Sequence, residues 1–227
     1  MTLTELQKLI LGEPNQMLVS TTIDDCQVTL HQDVVGPLTE LLTALRQAGL
    51  ATTIVSHWRS FEHQAKIWNS KWHGSRTLLN RQQETIDVSK LTDQEKLTAI
   101  CWWSAIPGTS RHHWGTDFDI FLSSPIEQGY RPQLTPKEFY DNGPCFKLEQ
   151  WIELNLTKFG FFRPYDIYRG GVMIEPWHIS YKPIADKLIS QIDKQKINQR
   201  LALHKVAGHE MIAEQIDSYL ETYVFNV

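Results

Sequence analysis

Residues 107–120 hold more potential metal ligands than a connecting segment needs. They include two imidazoles, His112 and His113, and two carboxylates, Asp117 and Asp119. Imidazole and carboxylate groups are the usual nitrogen and oxygen ligands of zinc in proteins. The stretch therefore predicts half of a metal site, whose remaining ligand must come from another part of the chain.

A catalytic zinc ion usually takes three protein ligands and leaves a fourth position for water. His112, Asp119 and His178 can supply such a set for one Zn²⁺. In an unbroken strand residues 112 and 119 would face opposite sides, because their spacing is odd and strands have a period of two. The chain must therefore bend between them, and Gly115 is the residue that permits the bend.

The motif Glu175-Pro-Trp-His178 places a carboxylate three residues before an imidazole. A helical turn or an irregular strand end would bring both side chains to one side. Glu175 could then accept a proton from water near the metal. Arg59 could stabilise the oxyanion of a reacting peptide carbonyl or anchor a terminal carboxylate. This combination predicts a peptidase mechanism.

The elements that position these residues can be predicted from the local pattern. A short strand rich in β-branched residues spans residues 51–56 and ends just before Arg59. A second strand spans residues 116–122, and a glycine-led apolar strand at 170–174 is expected to run into Glu175. Residues 123–144 contain several prolines and glycines, which predicts a long surface excursion of the kind that often controls access to a site.

Helical spacing of apolar residues predicts the rest of the scaffold. Thr2 or Thr4 can cap a first helix, and Ser60 and Thr92 can cap later ones. Residues 74–87 are predicted to form a loop or a weak helix, and residues 28–31 a short strand. Helices are expected over residues 37–49, 61–72, 92–103, 146–159, 184–197 and 209–223. The fold class is therefore α+β, with helices flanking a small sheet.

The 227 residues, 41% of them hydrophobic, suffice for one globular domain, and the formal charge of −4 argues against a nucleic-acid partner. Three widely spaced cysteines indicate buried thiols rather than a disulfide framework. No apolar window reaches the length of a membrane span. The N-terminus lacks the pattern of a secretory signal, which predicts a cytoplasmic protein, or a periplasmic or cell-wall protein if a leader was removed. Composition does not indicate the oligomeric state.

Three motifs together resemble the zinc D-alanyl-D-alanine carboxypeptidases and dipeptidases of the VanY type, which share a fold with the hedgehog signalling domain. The family pattern S-x-H-x-x-G-x-x-x-D, then E-P-W-H, follows a strand ending in S-G-Y-R-S with a glutamine downstream. The matching residues occur in the family's order and are Ser110, His112, Gly115, Asp119, the motif at 175–178, the stretch Ser56-His-Trp-Arg-Ser60, and Gln64. The resemblance covers roughly residues 50–182.

The resemblance implies a small, mainly antiparallel sheet and a substrate derived from peptidoglycan stem peptides that end in D-Ala-D-Ala. It implies that zinc is bound by His112, Asp119 and His178. It further implies that Glu175 is the general base and that Arg59 stabilises the reacting carbonyl. Two further residues would contact the substrate or support the site, namely Ser110 and Gln64. On this basis residues 1–227 form a single zinc peptidase domain with helical extensions at 1–49 and 183–227.

Two departures from the family pattern leave alternatives open. His57 and Trp58 replace a glycine and a tyrosine, and Asp117 replaces a small uncharged residue. Asp117 is expected either to orient a histidine ligand or to be a surface carboxylate paired with Arg111. His113 is expected to be a supporting or surface residue.

The function also has alternatives. One is a zinc-stabilised binding module without turnover, and the other is a peptidoglycan L,D- or D,D-endopeptidase of the same fold. Carboxypeptidases, dipeptidases and endopeptidases differ in how the cleft is closed, and residues 123–144 are the candidate for that control.

Overall fold

The computed structural model of the protein describes residues 3–227 and shows an α+β fold. The strands are β1 (Leu18–Ile23), β2 (Cys26–His31), β3 (Thr52–Ser56), β4 (Leu78–Leu79), β5 (Thr85–Ile86), β6 (Asp117–Leu122), β7 (Phe161–Phe162) and β8 (His178–Tyr181). The α-helices are α1 (Glu5–Ile10), α2 (Val35–Gln47), α3 (Phe61–Trp72), α4 (Asp93–Cys101), α5 (Ser123–Glu127), α6 (Phe146–Asn155), α7 (Lys182–Ile189), α8 (Lys194–Leu203), α9 (His209–Glu214) and α10 (Ile216–Tyr219). The predicted fold class is confirmed.

The central sheet has the strand order β3-β6-β8-β7, and each neighbouring pair is antiparallel. All residues of β6 are buried. Its apolar side chains, Phe118, Ile120 and Phe121, join a core that also contains residues of α2 and α6. Asp117 and Asp119 lie in the same strand, and buried carboxylates require compensating partners. The middle of the sheet is therefore where a charged site must be assembled.

Helix caps fix the chain on either side of the sheet. The Ser60 side chain accepts a hydrogen bond from the backbone N–H of His63 at 3.1 Å, so α3 begins immediately after Arg59. Thr92 and Glu95 form a reciprocal capping box at the start of α4. Thr4 caps α1 in the same way, whereas the alternative cap Thr2 lies outside the described residues. The predicted caps at Ser60 and Thr92 are confirmed.

A second core joins the C-terminal helices to α3 and α4. Trp68 donates its indole N–H to the carbonyl of Ala207 at 3.0 Å, and the Ala207 N–H donates to Asn69 at 2.9 Å. Trp68 and Trp72 lie four residues apart on α3, and both are buried in this core. The C-terminal helices are thus packed against the helix that follows Arg59.

The strand predicted at residues 170–174 is wrong. Residues 170–174 form an irregular segment, and the strand of this region is β8, which begins at His178. The Met173 N–H donates to the carbonyl of Trp102 at 3.0 Å, so this backbone is bonded to a loop rather than to a strand. Residues 74–87 are largely a loop, one of the two predicted alternatives, and this loop contains the two short strands β4 and β5.

The N-terminal part is not purely helical, contrary to the expectation for residues 1–49. It contains the antiparallel hairpin β1–β2, with Leu18 opposite His31. β2 buries the alternating apolar residues Val28 and Leu30, whereas β1 buries only Ile23 at its end, so β1 has the weaker apolar alternation and was not predicted. Residues 183–227 are mainly helical as expected.

Among the described residues, no helix is both long enough and apolar enough to cross a membrane.

Candidate metal centre

Three ligand-type side chains converge in the middle of the central sheet. His112, Asp119 and His178 each offer one ligand atom, and these atoms lie within 4.8 Å of one another. Asp119 lies in β6 directly opposite His178 in β8, so the antiparallel register itself brings these two together. His112 approaches from a 3₁₀ turn, Arg111–Trp114, that precedes β6. All three side chains are buried.

The bend expected at Gly115 is present and brings His112 to the same side as Asp119. Gly115 ends the 3₁₀ turn with φ of 68°, in the left-handed region that favours glycine. A Cβ at this position would lie 2.6 Å from the backbone nitrogen of His31. The His31 N–H donates to the Gly115 carbonyl at 2.9 Å, so β2 of the N-terminal hairpin holds the bend in place.

Each histidine of the cluster is oriented by the ring nitrogen that faces away from the centre. His112 Nδ1 lies 3.1 Å from the backbone carbonyl of His57, which leaves Nε2 facing Asp119 Oδ2 at 3.3 Å. His178 Nε2 lies 3.0 Å from Asp117 Oδ1, which leaves Nδ1 facing Asp119 Oδ1 at 3.2 Å. Ligand histidines of metal sites commonly donate their outer N–H to a carbonyl or carboxylate in this way.

The charges at the centre of the cluster fit a bound cation. Asp119 Oδ1 is buried and accepts no hydrogen bond from residues 3–227. A neutral His178 that donates from Nε2 presents a lone pair, not a proton, to this oxygen. Two lone pairs facing each other at 3.2 Å are stabilised by a cation between them. One carboxylate and two imidazoles are a common zinc set, so the residues fit Zn²⁺.

Asp117 is the hub of a buried hydrogen-bond network behind His178. Arg111 Nε donates to Asp117 Oδ1 at 2.8 Å, and the Ser180 hydroxyl donates to Oδ2 at 3.0 Å. Burial alone would raise the pKa of Asp117, but Arg111 and His178 hold this pKa well below its usual range. The expectation of a surface carboxylate is wrong, because Asp117 is fully buried. The pairing with Arg111 and the contact with a histidine are both present.

Glu175 is directed towards the same centre by a tight turn. The His178 N–H donates to the Glu175 carbonyl at 3.0 Å, and the Glu175 N–H donates to the carbonyl of Tyr165 at 3.0 Å. The turn places Glu175 Oε2 3.6 Å from His178 Nδ1. Burial raises the pKa of Glu175 to about 7, against the opposing effect of His178. The expected side-by-side arrangement of these two residues is confirmed.

Arg59 lies at the edge of the cluster with its guanidinium held on two sides. Nη1 donates to Gln64 Oε1 at 2.7 Å and Nη2 donates to Ser56 Oγ at 2.9 Å. Arg59 Nη2 is 4.0 Å from Asp119 Oδ2. Gln64 is completely buried and its amide donates to the carbonyl of Ala105, so Gln64 supports Arg59 from behind rather than lining the cleft.

One cavity of about 480 Å³ unites these groups. Its lining includes Arg59, Ser110, His112, Asp119, Glu175 and His178. Residues Gln133 to Thr135 of the excursion 123–144 also line it, in line with the expectation that this segment contacts the site. A peptide bond placed in the cavity would thus meet a carboxylate, a guanidinium and the metal-type cluster.

His113 does not belong to this cavity. Its Nδ1 lies 2.7 Å from the carbonyl of Arg59, and its Nε2 accepts a hydrogen bond from the N–H of Gly108 at 3.0 Å. Burial lowers the pKa of His113 to about 3, so the ring is neutral. His113 therefore ties the turn before the 3₁₀ segment to the backbone of Arg59, which agrees with the supporting role expected for it.

Sequence reasoning missed several residues that line the cavity. Lys71, Trp103 and Tyr165 are among them, and the last turns of the chain contribute Tyr219 and Tyr223. The signal for Lys71 was present, since Gln64, Ile67 and Lys71 share one face of α3 by helical spacing. Tyr165 and the C-terminal residues carry no local signal.

Comparisons with known proteins agree with this geometry. The family model described as VanY, D-alanyl-D-alanine carboxypeptidase, matches residues 27–184. An uncharacterised protein of Haemophilus influenzae is 30% identical over 129 residues, which are 56% of this chain and 95% of that protein. A D-alanyl-D-alanine carboxypeptidase of Enterococcus faecalis is 26% identical over 147 residues, 63% of this chain and 45% of that longer protein.

Two solved structures share the fold. One is a mutant of the D,D-pentapeptidase VanY from the VanB-type vancomycin resistance cassette, in complex with Zn(II), with a TM-score of 0.51 and 24% identity. The match covers 77% of this chain and 86% of the chain in that structure. The other is VanYB with D-alanine-D-alanine, with a TM-score of 0.52, 23% identity, and coverage of 77% and 83%. The family model spans both β6 and β8, and with them the whole His-Asp-His cluster, so the chain belongs to the VanY family of D-alanyl-D-alanine carboxypeptidases.

Proposed function

We propose that the protein is a zinc-dependent peptidase that hydrolyses the peptide bond before a C-terminal D-amino acid. The substrates would be peptidoglycan stem peptides, or their fragments, that end in D-Ala-D-Ala. The single observation that carries the proposal is the convergence of His112, Asp119 and His178 in one cavity with Glu175 and Arg59. Family membership supports the same class of reaction.

His112 Nε2, one oxygen of Asp119 and His178 Nδ1 are the atoms that would hold one zinc ion. When bound, zinc supplies Lewis-acid chemistry, which makes water more acidic and polarises a carbonyl oxygen. Asp117 and the His57 carbonyl would keep the two imidazoles in the ligand tautomer, because they accept the protons on the outer nitrogens.

Glu175 would act as the general base. Its carboxylate lines the cavity beside His178 Nδ1, where it can accept the proton of an attacking water and pass it to the leaving amine. Arg59 would stabilise the negative charge that develops on the carbonyl oxygen. Gln64 and Ser56 hold its fork in a fixed orientation before the reaction, which reduces the reorganisation that the transition state requires.

Ser110 lines the cavity and would contact the peptide from the side of the 3₁₀ turn. Gln64 would act only through Arg59. The catalytic unit proposed here is a single domain, in which the N-terminal hairpin holds Gly115 and the C-terminal helices support α3.

The test is a peptide panel with metal analysis. Zinc-loaded protein is incubated with D-Ala-D-Ala, a stem pentapeptide ending in D-Ala-D-Ala, and the same pentapeptide ending in L-Ala. We expect D-alanine release from the D-terminated peptides, loss of release after chelation, and recovery on zinc addition. Binding of peptide without any product would identify a binding module instead, and cleavage at an internal bond would identify an endopeptidase.

A further inference from the structure

Lys71 is a cation in the wall of the cavity without an anionic partner. It lies on α3, and its ammonium donates to the Ser104 hydroxyl at 2.7 Å. Within residues 3–227 no carboxylate oxygen lies within 4.0 Å of Lys71 Nζ. Lysines that are largely removed from water normally have a paired charge, so an unpaired one facing a cavity indicates an anionic ligand.

Other positive charges lie close to Lys71. Arg76 and Arg59 also line the cavity, and Glu175 is the carboxylate within electrostatic range of Lys71. Burial is the main cause that lowers the pKa of Lys71 to about 8, and the positive charges of Arg76 and Arg59 lower it further. An anion placed next to Lys71 would relieve this repulsion and restore the charged state of the ammonium.

The last turns of the chain, residues 216–224, named here the C-terminal wall, line the same cavity as Lys71. Tyr219 and Tyr223 of the wall line the cavity, and both are within electrostatic range of Cys101. Lys71 is within range of the same thiol. Lys71 and the C-terminal wall therefore both border the part of the cavity around Cys101.

The C-terminal wall is fixed rather than loosely attached. Gly171 packs directly against the backbone carbonyl of Thr222, so closely that a Cβ could not be accommodated. Gln94 donates to the Tyr219 hydroxyl at 3.3 Å, and Asn226 donates to the carbonyl of Arg169 at 2.7 Å. The wall lies beyond the residues that match the family model, so it is a feature of this chain that the family match does not assign.

We infer that Lys71, positioned by Ser104 in the cavity that the C-terminal wall also lines, binds the terminal carboxylate of the peptide substrate. This inference rests on the proposed function and names the residue that recognises the end of the chain. The ammonium of Lys71 would attract a terminal carboxylate, whereas a continuing chain would offer a neutral peptide group at the same place. This preference favours release of the last residue over internal cleavage.

The test is binding, measured by calorimetry on the zinc-loaded Glu175→Gln variant, which holds peptides without turning them over. The probes are an N-acetylated stem pentapeptide ending in D-Ala-D-Ala and its C-terminal amide. We expect the acid to bind about 10- to 100-fold more tightly than the amide, as for a hydrogen-bonded charged group. Adding Lys71→Met should reduce this ratio to about 1 by weakening only the acid.

Matched variants separate the charge of Lys71 from its packing. Lys71→Arg should keep most of the preference for the acid, and Lys66→Met, at an exposed position of the same helix, should keep all of it. Thermal unfolding of each variant shows whether it is folded. An undiminished acid-to-amide ratio in the folded Lys71→Met variant would overturn the inference, as would the absence of binding of either probe at millimolar concentration.

The probe has a second carboxylate, and binding of this group by Lys71 must be distinguished from binding of the terminal carboxylate. The pentapeptide carries an internal D-glutamate, and a probe with D-glutamine at that position removes this group alone. If the effect of Lys71→Met disappears with the internal carboxylate rather than with the terminal one, the inference is wrong. Release of D-alanine by the unmodified protein tests the proposed function separately, so the two can fail independently.

Discussion

His178 Nε2 lies 3.0 Å from Asp117 Oδ1, while the opposite ring nitrogen, Nδ1, lies 3.2 Å from Asp119 Oδ1. One imidazole thus bridges two carboxylates of the same buried strand. Although burial lowers it, the pKa of His178 is raised to about 9 by the neighbouring carboxylates of Asp117 and Asp119, which stabilise the protonated ring. The site favours a positive charge at this position, whether a proton or a metal ion supplies it.

Asp117→Asn should weaken zinc binding by about 10- to 100-fold, because an amide no longer fixes the tautomer of His178 or raises its basicity. The affinity is measured by competition with a chromophoric chelator on protein shown to be folded. Asp186→Asn, which removes an exposed carboxylate of α7, is the matched control and should leave zinc affinity unchanged. Equal affinities in the two variants would show that Asp117 serves only Arg111.

Gly115→Ala should lower the free energy of unfolding by about 1 to 3 kcal/mol, because alanine is strained at positive φ. The new Cβ would also crowd the backbone nitrogen of His31. Urea denaturation measures this loss. Gly36→Ala is the control, since nothing lies within 4 Å of a Cβ there and the residue is helical, so about 0.4 to 1 kcal/mol of stabilisation is expected. An unchanged free energy of unfolding in the Gly115→Ala variant would contradict the requirement for the bend.

His113→Ala should cost about 2 to 4 kcal/mol of stability, because it removes two hydrogen bonds and leaves a buried cavity. Zinc stoichiometry should remain one per chain, since His113 faces Arg59 and Gly108 rather than the cluster. Metal analysis and urea denaturation test both parts. His73→Ala, at an exposed position, should change stability by no more than about 0.5 kcal/mol. Loss of zinc from folded His113→Ala would contradict the assignment.

Binding of the N-acetylated acid probe to the Glu175→Gln variant should weaken as pH rises through about 8, the pKa to which burial lowers Lys71. Below this pH the ammonium is charged and attracts the carboxylate, and above it the amine is neutral. The peptide carboxylate stays ionised throughout this range. The dissociation constant is measured at intervals across the pH range.

The loss of binding near pH 8 can be distinguished from the titration of three neighbouring groups. Burial raises the pKa of Cys101 far above the pKa of an ordinary thiol, and burial raises the pKa of Tyr219 to about 12. The Glu175→Gln substitution removes the titrating carboxylate. Lys71→Arg should shift the loss of binding to much higher pH, and a profile identical to that of the lysine protein would contradict the role of the ammonium.

Sequence reasoning succeeded where local spacing determines geometry. The odd separation of residues 112 and 119 required a bend, and the structure has it at Gly115. The Glu175 motif required a turn, and a backbone hydrogen bond between Glu175 and His178 closes it. The strand ending at Ser56 and the cap at Ser60 fixed the place of Arg59. These features depend on residues close to one another in the chain.

The parts that were missed depend on contacts between distant segments. Residues 170–174 have the composition of a strand, yet their backbone bonds to Trp102 and packs against Thr222. No local pattern indicates that the C-terminal wall lines the same cavity as Lys71. The choice between the two alternatives for Asp117 could not be made from the sequence, because its burial depends on Ser180 and His178 of the distant strand β8.

The most direct test of Glu175 as the general base of a zinc peptidase is the rate of D-alanine release by Glu175→Gln, compared with the unmodified protein at equal zinc content. We expect that the variant keeps one zinc ion and still binds the D-Ala-D-Ala pentapeptide. Its release rate should fall by about 10²- to 10⁴-fold, as for loss of a general base. Glu153→Gln, at an exposed position of α6, should retain full activity. A Glu175→Gln variant that releases D-alanine at the unmodified rate would contradict the role of Glu175 as general base.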